Sequence, residues 1–239
     1  MADEAPLPAF PKLWRSVPPG RVLVFAPHPD DEVAGPGGVL AMHRAQGDPV
    51  RVVVTTDGTS GDPDRRYEPA TYASMRHAES RAGLRELGVD DVHFWGFPDG
   101  HVLSEVDVEN AVQMAIRELV QFRPQVVYVP WLREGHADHR AVHVVVTRAL
   151  DRTGFQGLAL GYEIWNAMIP DVIVETTAVF DKKLAAMRAH ASQLVYTQYD
   201  HCLAGLSAYR SLFHLHGRGY GEAFSIVRGS PPASLSLPT

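Results

Sequence analysis

The sequence predicts an α/β fold, a mostly parallel sheet with helices on both faces. Short β-branched runs alternate with longer segments of helical periodicity, the pattern of successive βα units. The runs are nearly continuous in apolar residues, as strands covered on both faces must be. Glycines close the helical segments where C-caps are expected.

The elements follow in order. Residues 1–20 contain Pro6, Pro8, Pro11, Pro18 and Pro19, which forbid a regular helix and read as an extended arm lying over the domain. Arg21 to Ala26 is the first strand, and Val33 to Gln46 a helix ending before Gly47. Pro49 to Thr55 is the second strand, followed by a helix from Thr71 to Leu87 that Gly88 closes. Val92 to Phe97 and Gln125 to Val129 are the third and fourth strands, with helices over Val106 to Gln121 and His139 to Thr153. Beyond them the pattern is less regular: Ala159 to Ile164 and Asp171 to Glu175 read as strands, Asp181 to Ser192 and Leu203 to His214 as helices. The strand order of this later part does not follow from the sequence. Residues 229–239, with Pro231, Pro232 and Pro238, form a second arm-like tail, which leaves 21–228 as a single domain.

Composition bounds the function. A chain of 239 residues, 45% hydrophobic and 21% charged, is long and apolar enough for a sizeable core and is no coiled-coil rod. With 22 Lys and Arg against 28 Asp and Glu, the net charge of -6 repels a phosphate backbone, so nucleic acid is not an expected partner. The single cysteine, Cys202, allows neither an internal disulfide nor a CxxC metal site, so a transition metal must be held by His, Asp or Glu. No apolar run approaches the roughly 20 residues that span a bilayer, and Asp3 and Glu4 oppose a signal peptide. The expectation is a cytoplasmic protein without a membrane span; homo-oligomerisation is left open.

In an open α/β sheet, ligands bind beyond the carboxyl ends of the strands. Directly after the first strand, His28-Pro29-Asp30-Asp31-Glu32 packs an imidazole and three carboxylates into a strand-to-helix turn. Helix capping accounts for one acid, but not for three and a histidine. After the fourth strand, the segment from Pro130 to His143 carries His136, Asp138, His139 and His143. His143, one turn beyond His139, reads as a residue lining a helix face. The two clusters lie at strand ends of one sheet and should converge at one crevice. His28, Asp31 and His139 would form a two-His, one-carboxylate set with an open position, which suits catalytic zinc and equally suits Fe(II). Asp30 and His136 are then free for proton transfer. No HExxH occurs, and no GxGxxG follows the first strand, which argues against a thermolysin-like protease and a dinucleotide site.

These two segments, with Thr56-Asp57-Gly58, Arg76-x-x-Glu79, Pro98-Asp99, His190-Ala191-Ser192-Gln193 and Gly221-Glu222-Ala223-Phe224 in order, resemble the LmbE-like or PIG-L family of zinc-dependent deacetylases. The resemblance implies a Rossmann-like sheet and a zinc ion held by His28, Asp31 and His139. It makes Asp30 the general base, protonated His136 the group that steadies the tetrahedral intermediate, and Asp138 a carboxylate orienting an imidazole. The implied substrate is a small-molecule amino sugar of the N-acetylglucosamine type, whose hydroxyls Arg76 and Asp99 would bind. Against those last two roles, Arg76 has Glu79 or Glu68 as partners and Asp99 starts a turn with Gly100. Trp131, Trp165 and Tyr196 read as core or rim residues. One departure is Ala137, where the family more often has proline. Rival readings are an amidase of the same family acting on a larger acyl or thiol conjugate, an Fe(II) oxygenase, which leaves Asp30 without a task, and a non-catalytic metal-binding module.

Overall fold

The computed structural model describes residues 10–100, 104–212, 214–232 and 235. It contains one eight-stranded sheet: β1 (Lys12–Trp14), β2 (Val22–Ala26), β3 (Val50–Thr56), β4 (Asp91–Phe97), β5 (Val126–Pro130), β6 (Leu158–Tyr162), β7 (Val172–Glu175) and β8 (Gly221–Arg228). Their spatial order is β1-β7-β8-β6-β5-β2-β3-β4, parallel except where β8 inserts antiparallel between β6 and β7. The chain starts its central β-α-β winding at β2, with β3 on one side and β5 on the other. The gap beyond the carboxyl ends of β2 and β5 is therefore a topological switch point, where such sheets open a crevice.

Alternation along the strands loads both faces. Val22, Val24, Val52, Val54, Val126 and Tyr128 join one buried cluster with Leu40, Leu84 and Met187. Leu23, Phe25, Val53, Val127 and Val129 join a second with Val112, Leu119, Val142 and Val146. The helices lie accordingly: α1 (Asp31–Ala34), α2 (Gly37–Ala45), α3 (Pro69–Glu86) and α6 (Phe180–Arg188) go with the first face, α4 (Glu105–Phe122) and α5 (Ala137–Thr153) with the second, and α7 (Ala191–Leu194) and α8 (Tyr199–Arg210) complete the chain. Gly47 and Gly88 take positive φ just past the ends of α2 and α3, as the sequence predicts. Among the described residues no helix is long and apolar enough to cross a membrane.

Four expectations are corrected. The helix expected over Val33 to Gln46 is two helices, because Pro36 has no amide to continue α1, and Gly35 presses so closely on Tyr162 that a Cβ would lie 2.3 Å from its ring. The first turn of α2 is capped from afar: Glu222 accepts the amides of Gly38 (2.6 Å) and Val39 (2.9 Å) and pairs with Lys183 (2.6 Å). The helix expected over Asp181 to Ser192 breaks at His190, since Glu79 takes the Ser192 amide and hydroxyl and fixes α7 as a separate turn. The arm expected over residues 1–20 is part of the sheet where it is described: Lys12 to Trp14 pairs parallel with β7 and Trp14 is fully buried, an edge position that neighbouring prolines tolerate. Finally, β8 was not expected at all. Of the tail over 229–239, residues 233, 234 and 236–239 lie outside the described residues, and Leu235 packs into the first core cluster.

Candidate metal centre and catalytic cleft

Both sequence clusters arrive at the switch point. The turn after β2 is tied to the end of β3, since the Pro27 carbonyl accepts the Thr56 amide (2.9 Å) and the hydroxyls of Thr56 (2.9 Å) and Thr55 (3.2 Å). This holds His28 and Asp31 just beyond the carboxyl end of β2, in the middle of the sheet. The turn after β5 brings in His136 as the N-cap of α5, with Asp138 and His139 in its first turn. The three imidazoles of His28, His136 and His139 have ring centroids 4.7 to 5.3 Å apart.

Asp31 is the hinge of the cluster. Its Oδ2 lies 3.0 Å from His28 Nδ1 and 3.2 Å from His139 Nε2. Donors around a tetrahedral zinc with bonds of roughly 2.0–2.2 Å sit about 3.3 Å apart, so the spacing fits a shared ion. His139 supplies a more specific observation: its Nε2 is close to Asp31, neither ring nitrogen has a well-aligned hydrogen-bond partner among the described residues, and the side chain is fully buried. Donor atoms also gather within 4.8 Å in the groups His28, His136, His139 and His28, Asp99, Asp138; Asp31 lies in neither, yet it is the carboxylate closest to both buried imidazoles.

The electrostatics agree. Burial opposes ionisation of Asp31, but the His139 and His28 imidazoles outweigh it and hold the carboxyl well below the usual range. Burial also opposes charge on His139, but Asp31 and Glu134 raise its pKa to about 9, and Asp138, Asp31 and Asp99 similarly raise His28. Protons on these rings compete for the place of a cation, so metal uptake would release them.

Asp30 is different. Burial is the largest influence and lifts its pKa to about 6, against the downward pull of Arg76 and with the like charge of Asp31. Arg76 NH2 bonds Asp30 Oδ2 at 2.9 Å and also the Pro29 carbonyl, while NH1 reaches the Gly58 carbonyl at 3.0 Å. Arg76 is thus a buried partner of the turn rather than of Glu79 or Glu68, and it also lines the cleft. Asp99 is at the cleft as expected, with Oδ1 3.1 Å from His28 Nε2 and Oδ2 accepting the Ser60 amide at 3.0 Å. Asp138 faces His28 Nε2 at 3.2 Å and accepts the Gly100 amide at 2.9 Å.

His136 presents itself to solvent more than the others, with 38% of its side chain exposed. Its Nδ1 accepts the Asp138 amide at 3.2 Å, so the proton of the neutral ring sits on Nε2. Burial and the neighbouring His28 and His139 charges lower its pKa. His143 turns inward and bonds the Pro130 carbonyl at 2.8 Å, buried under the β5 turn rather than lining a free helix face.

The cleft over these residues is open to solvent and holds a cavity of about 140 Å³. His28, Asp30, Arg76, Asp99 and His136 are among its polar lining residues, and Trp165 and Tyr199 line it as well. Sequence reasoning gave no role to Glu134. It is fully buried, lies 3.4 Å from His139 Nδ1 and accepts the amides of Ile164 (2.7 Å) and Trp165 (3.0 Å). An acid two residues before His136 in a strand-end turn was the available signal, but its partners lie thirty residues downstream.

The fold, the switch-point cleft and the His/Asp donors define a metal-site α/β protein of hydrolase type. The family model described as PIG-L, GlcNAc-PI de-N-acetylase, matches residues 23–150, and the chain belongs to that family. A diacetylchitobiose deacetylase of Thermococcus kodakarensis is 27% identical over 87% of this chain and 84% of its own length. A 1D-myo-inositol 2-acetamido-2-deoxy-alpha-D-glucopyranoside deacetylase of Mycobacterium sp. (strain KMS) is 30% identical, covering 73% of this chain and 74% of its own. Among solved structures, the N,N'-diacetylchitobiose deacetylase of Pyrococcus horikoshii superposes with a TM-score of 0.70 at 26% identity, over 90% of this chain and 88% of its own. A 4-carboxy-2-hydroxymuconate hydratase of Pseudomonas putida shares the fold at a TM-score of 0.78 and 20% identity, over 92% of this chain and 100% of its own.

Proposed function

We propose that this protein is a zinc-dependent N-deacetylase that removes the acetyl group from an N-acetylglucosamine-type sugar or conjugate. The observation that carries the reading is the buried Asp31 carboxylate between His28 and His139, with the carboxyl of Asp30 beside it at the floor of an open cleft. The relatives named as amino-sugar deacetylases support the substrate class. His28, Asp31 and His139 would hold the ion, which when bound supplies Lewis acidity toward water and the amide carbonyl. Asp30, lifted toward neutrality by burial, is suited to take a proton from the attacking water at its free carboxyl oxygen and return it to the departing amine. Its other oxygen is held by Arg76. His136, among the polar residues lining the cleft, is suited to donate a proton to the developing oxyanion, a contact typically worth ~10²–10³ in rate. Asp99, which lines the cleft, would bind a sugar hydroxyl in this reading. Free Cys202 and the lack of any disulfide suit a cytoplasmic enzyme.

The test is to load the protein with zinc and assay acetate and free amine from N,N'-diacetylchitobiose and from N-acetylglucosamine joined to inositol or malate. Equimolar acetate and amine from at least one compound is the expected result. No release from any of them, by protein holding one zinc per chain, would overturn the reading in favour of a larger acyl group.

A further inference from the structure

Asp30 has φ 148° and ψ −25°, backbone angles that an L-residue keeps only where its surroundings hold it. The side chain that would do the chemistry is therefore aimed by a strained turn. Its flanking acid, Glu32, is completely buried and does not line the cleft. Glu32 Oε2 accepts the Asp30 amide at 3.0 Å, and Glu32 Oε1 accepts the Ser80 hydroxyl from α3. A buried carboxylate is costly unless its oxygens are satisfied. Here both oxygens are used, one on the strained residue and one on a neighbouring helix.

We propose that Glu32, anchored by Ser80, is a positioning residue for the reaction: it clamps the Asp30 backbone in the conformation that points the Asp30 carboxyl at the cleft. Arg76 fixes the far end of the same residue through Oδ2, so Asp30 is held at its amide and at its carboxyl from two elements, α1 and α3. Glu32 needs only acceptor oxygen toward the amide and a group that Ser80 can bond, and a glutamine meets both needs. This inference rests on the reading of Asp30 as the base, and the variants separate the two.

Each variant is assayed as zinc-loaded holoenzyme with metal content measured. Glu32→Ala should lower kcat by ~30-fold or more while KM and metal stoichiometry stay within about threefold, as expected when only a transition-state contribution is lost. Glu32→Gln should keep kcat within about threefold of wild type, because the hydrogen-bond pattern survives. Ser80→Ala, which leaves the amide acceptor in place, should give a smaller loss of ~3- to 10-fold with the same kcat-against-KM split. In an Asp30→Asn background, Glu32→Ala should cost no more than about threefold further, because two residues acting through one group are not additive. Undiminished turnover in both Glu32→Ala and Ser80→Ala beside an inactive Asp30→Asn overturns the positioning role alone. So does a Gln variant as impaired as Ala, or a full extra loss in the Asn background, which marks general destabilisation. If Glu32→Ala does not fold, the Ser80→Ala split and the Gln rescue decide. An Asp30→Asn enzyme as active as wild type instead overturns the base assignment itself.

Discussion

Removing the Glu134 carboxylate should weaken the metal site from behind. Glu134 has no solvent exposure at its side chain, and its Oε2 is the carboxylate oxygen facing His139 Nδ1, at 3.4 Å. Carboxylates behind metal-binding histidines set ring orientation and ligand basicity, and losing one typically costs 10- to 100-fold in metal affinity, about 1.4–2.7 kcal/mol. Glu134→Ala does more than this, because the amides of Ile164 and Trp165 lose their acceptor and the rim of the cleft loosens. Glu134→Gln separates the effects in part: an oxygen at the Oε1 position still accepts the Ile164 amide, while the amide nitrogen at the Oε2 position meets both His139 and the Trp165 amide. Competition against a chelator of known zinc affinity at fixed pH, beside a thermal melt, reads both quantities. The expected outcome is a 10- to 100-fold weaker metal in both variants, with the melting temperature reduced more in Ala than in Gln. Wild-type affinity in both would refute the idea that Glu134 tunes the site.

Elsewhere, Glu222→Ala leaves Lys183 buried without its counter-ion and strips the Gly38 and Val39 amides of their acceptor. Breaking such a pair costs about 3–5 kcal/mol, which lowers the melting temperature by roughly 10 °C, and a loss under about 2 °C in calorimetry would contradict it. His190 is buried, neither ring nitrogen has a hydrogen-bond partner, and burial, with the Arg76 charge, pushes its pKa down to about 3. The folded state then binds a proton more weakly than the unfolded chain, whose imidazole titrates near ~6.5, so this contribution to stability is intact above about pH 6.5 and lost by ~1.4 kcal/mol per unit below it. Urea unfolding at about pH 7.5 and 5.5 should show His190→Leu losing ~1.4 kcal/mol less than wild type, and equal losses would contradict the assignment.

The central sheet was legible because β2, β3 and β5 are continuous apolar runs, as double coverage demands, with turn signals between them. β8 was not, because its outer half is only partly buried and mixes Ser225 and Arg228 with apolar residues. β1 is too short and too close to prolines to show a strand period, and only its pairing with β7 makes it one. The breaks at Pro36 and His190 had local marks, yet the groups that stabilise the pieces, Glu222 and Glu79, are remote in sequence. In the site, His28, Asp31 and His139 were legible because two dense polar clusters follow neighbouring strands. Glu134, Glu32 and the role of Arg76 were not, since each is a lone charge whose meaning lies in a partner that only folding brings near.

The most direct test is turnover of Asp30→Asn against wild type at equal metal content, with acetate release followed on an amino sugar that the wild type cleaves. An asparagine keeps the turn and the three proposed ligands but cannot take a proton. Bound zinc should remain at one per chain while kcat falls by ~10²–10⁴. Zinc retained with turnover unchanged would contradict Asp30 as the base, and with it the hydrolytic arrangement of this cleft.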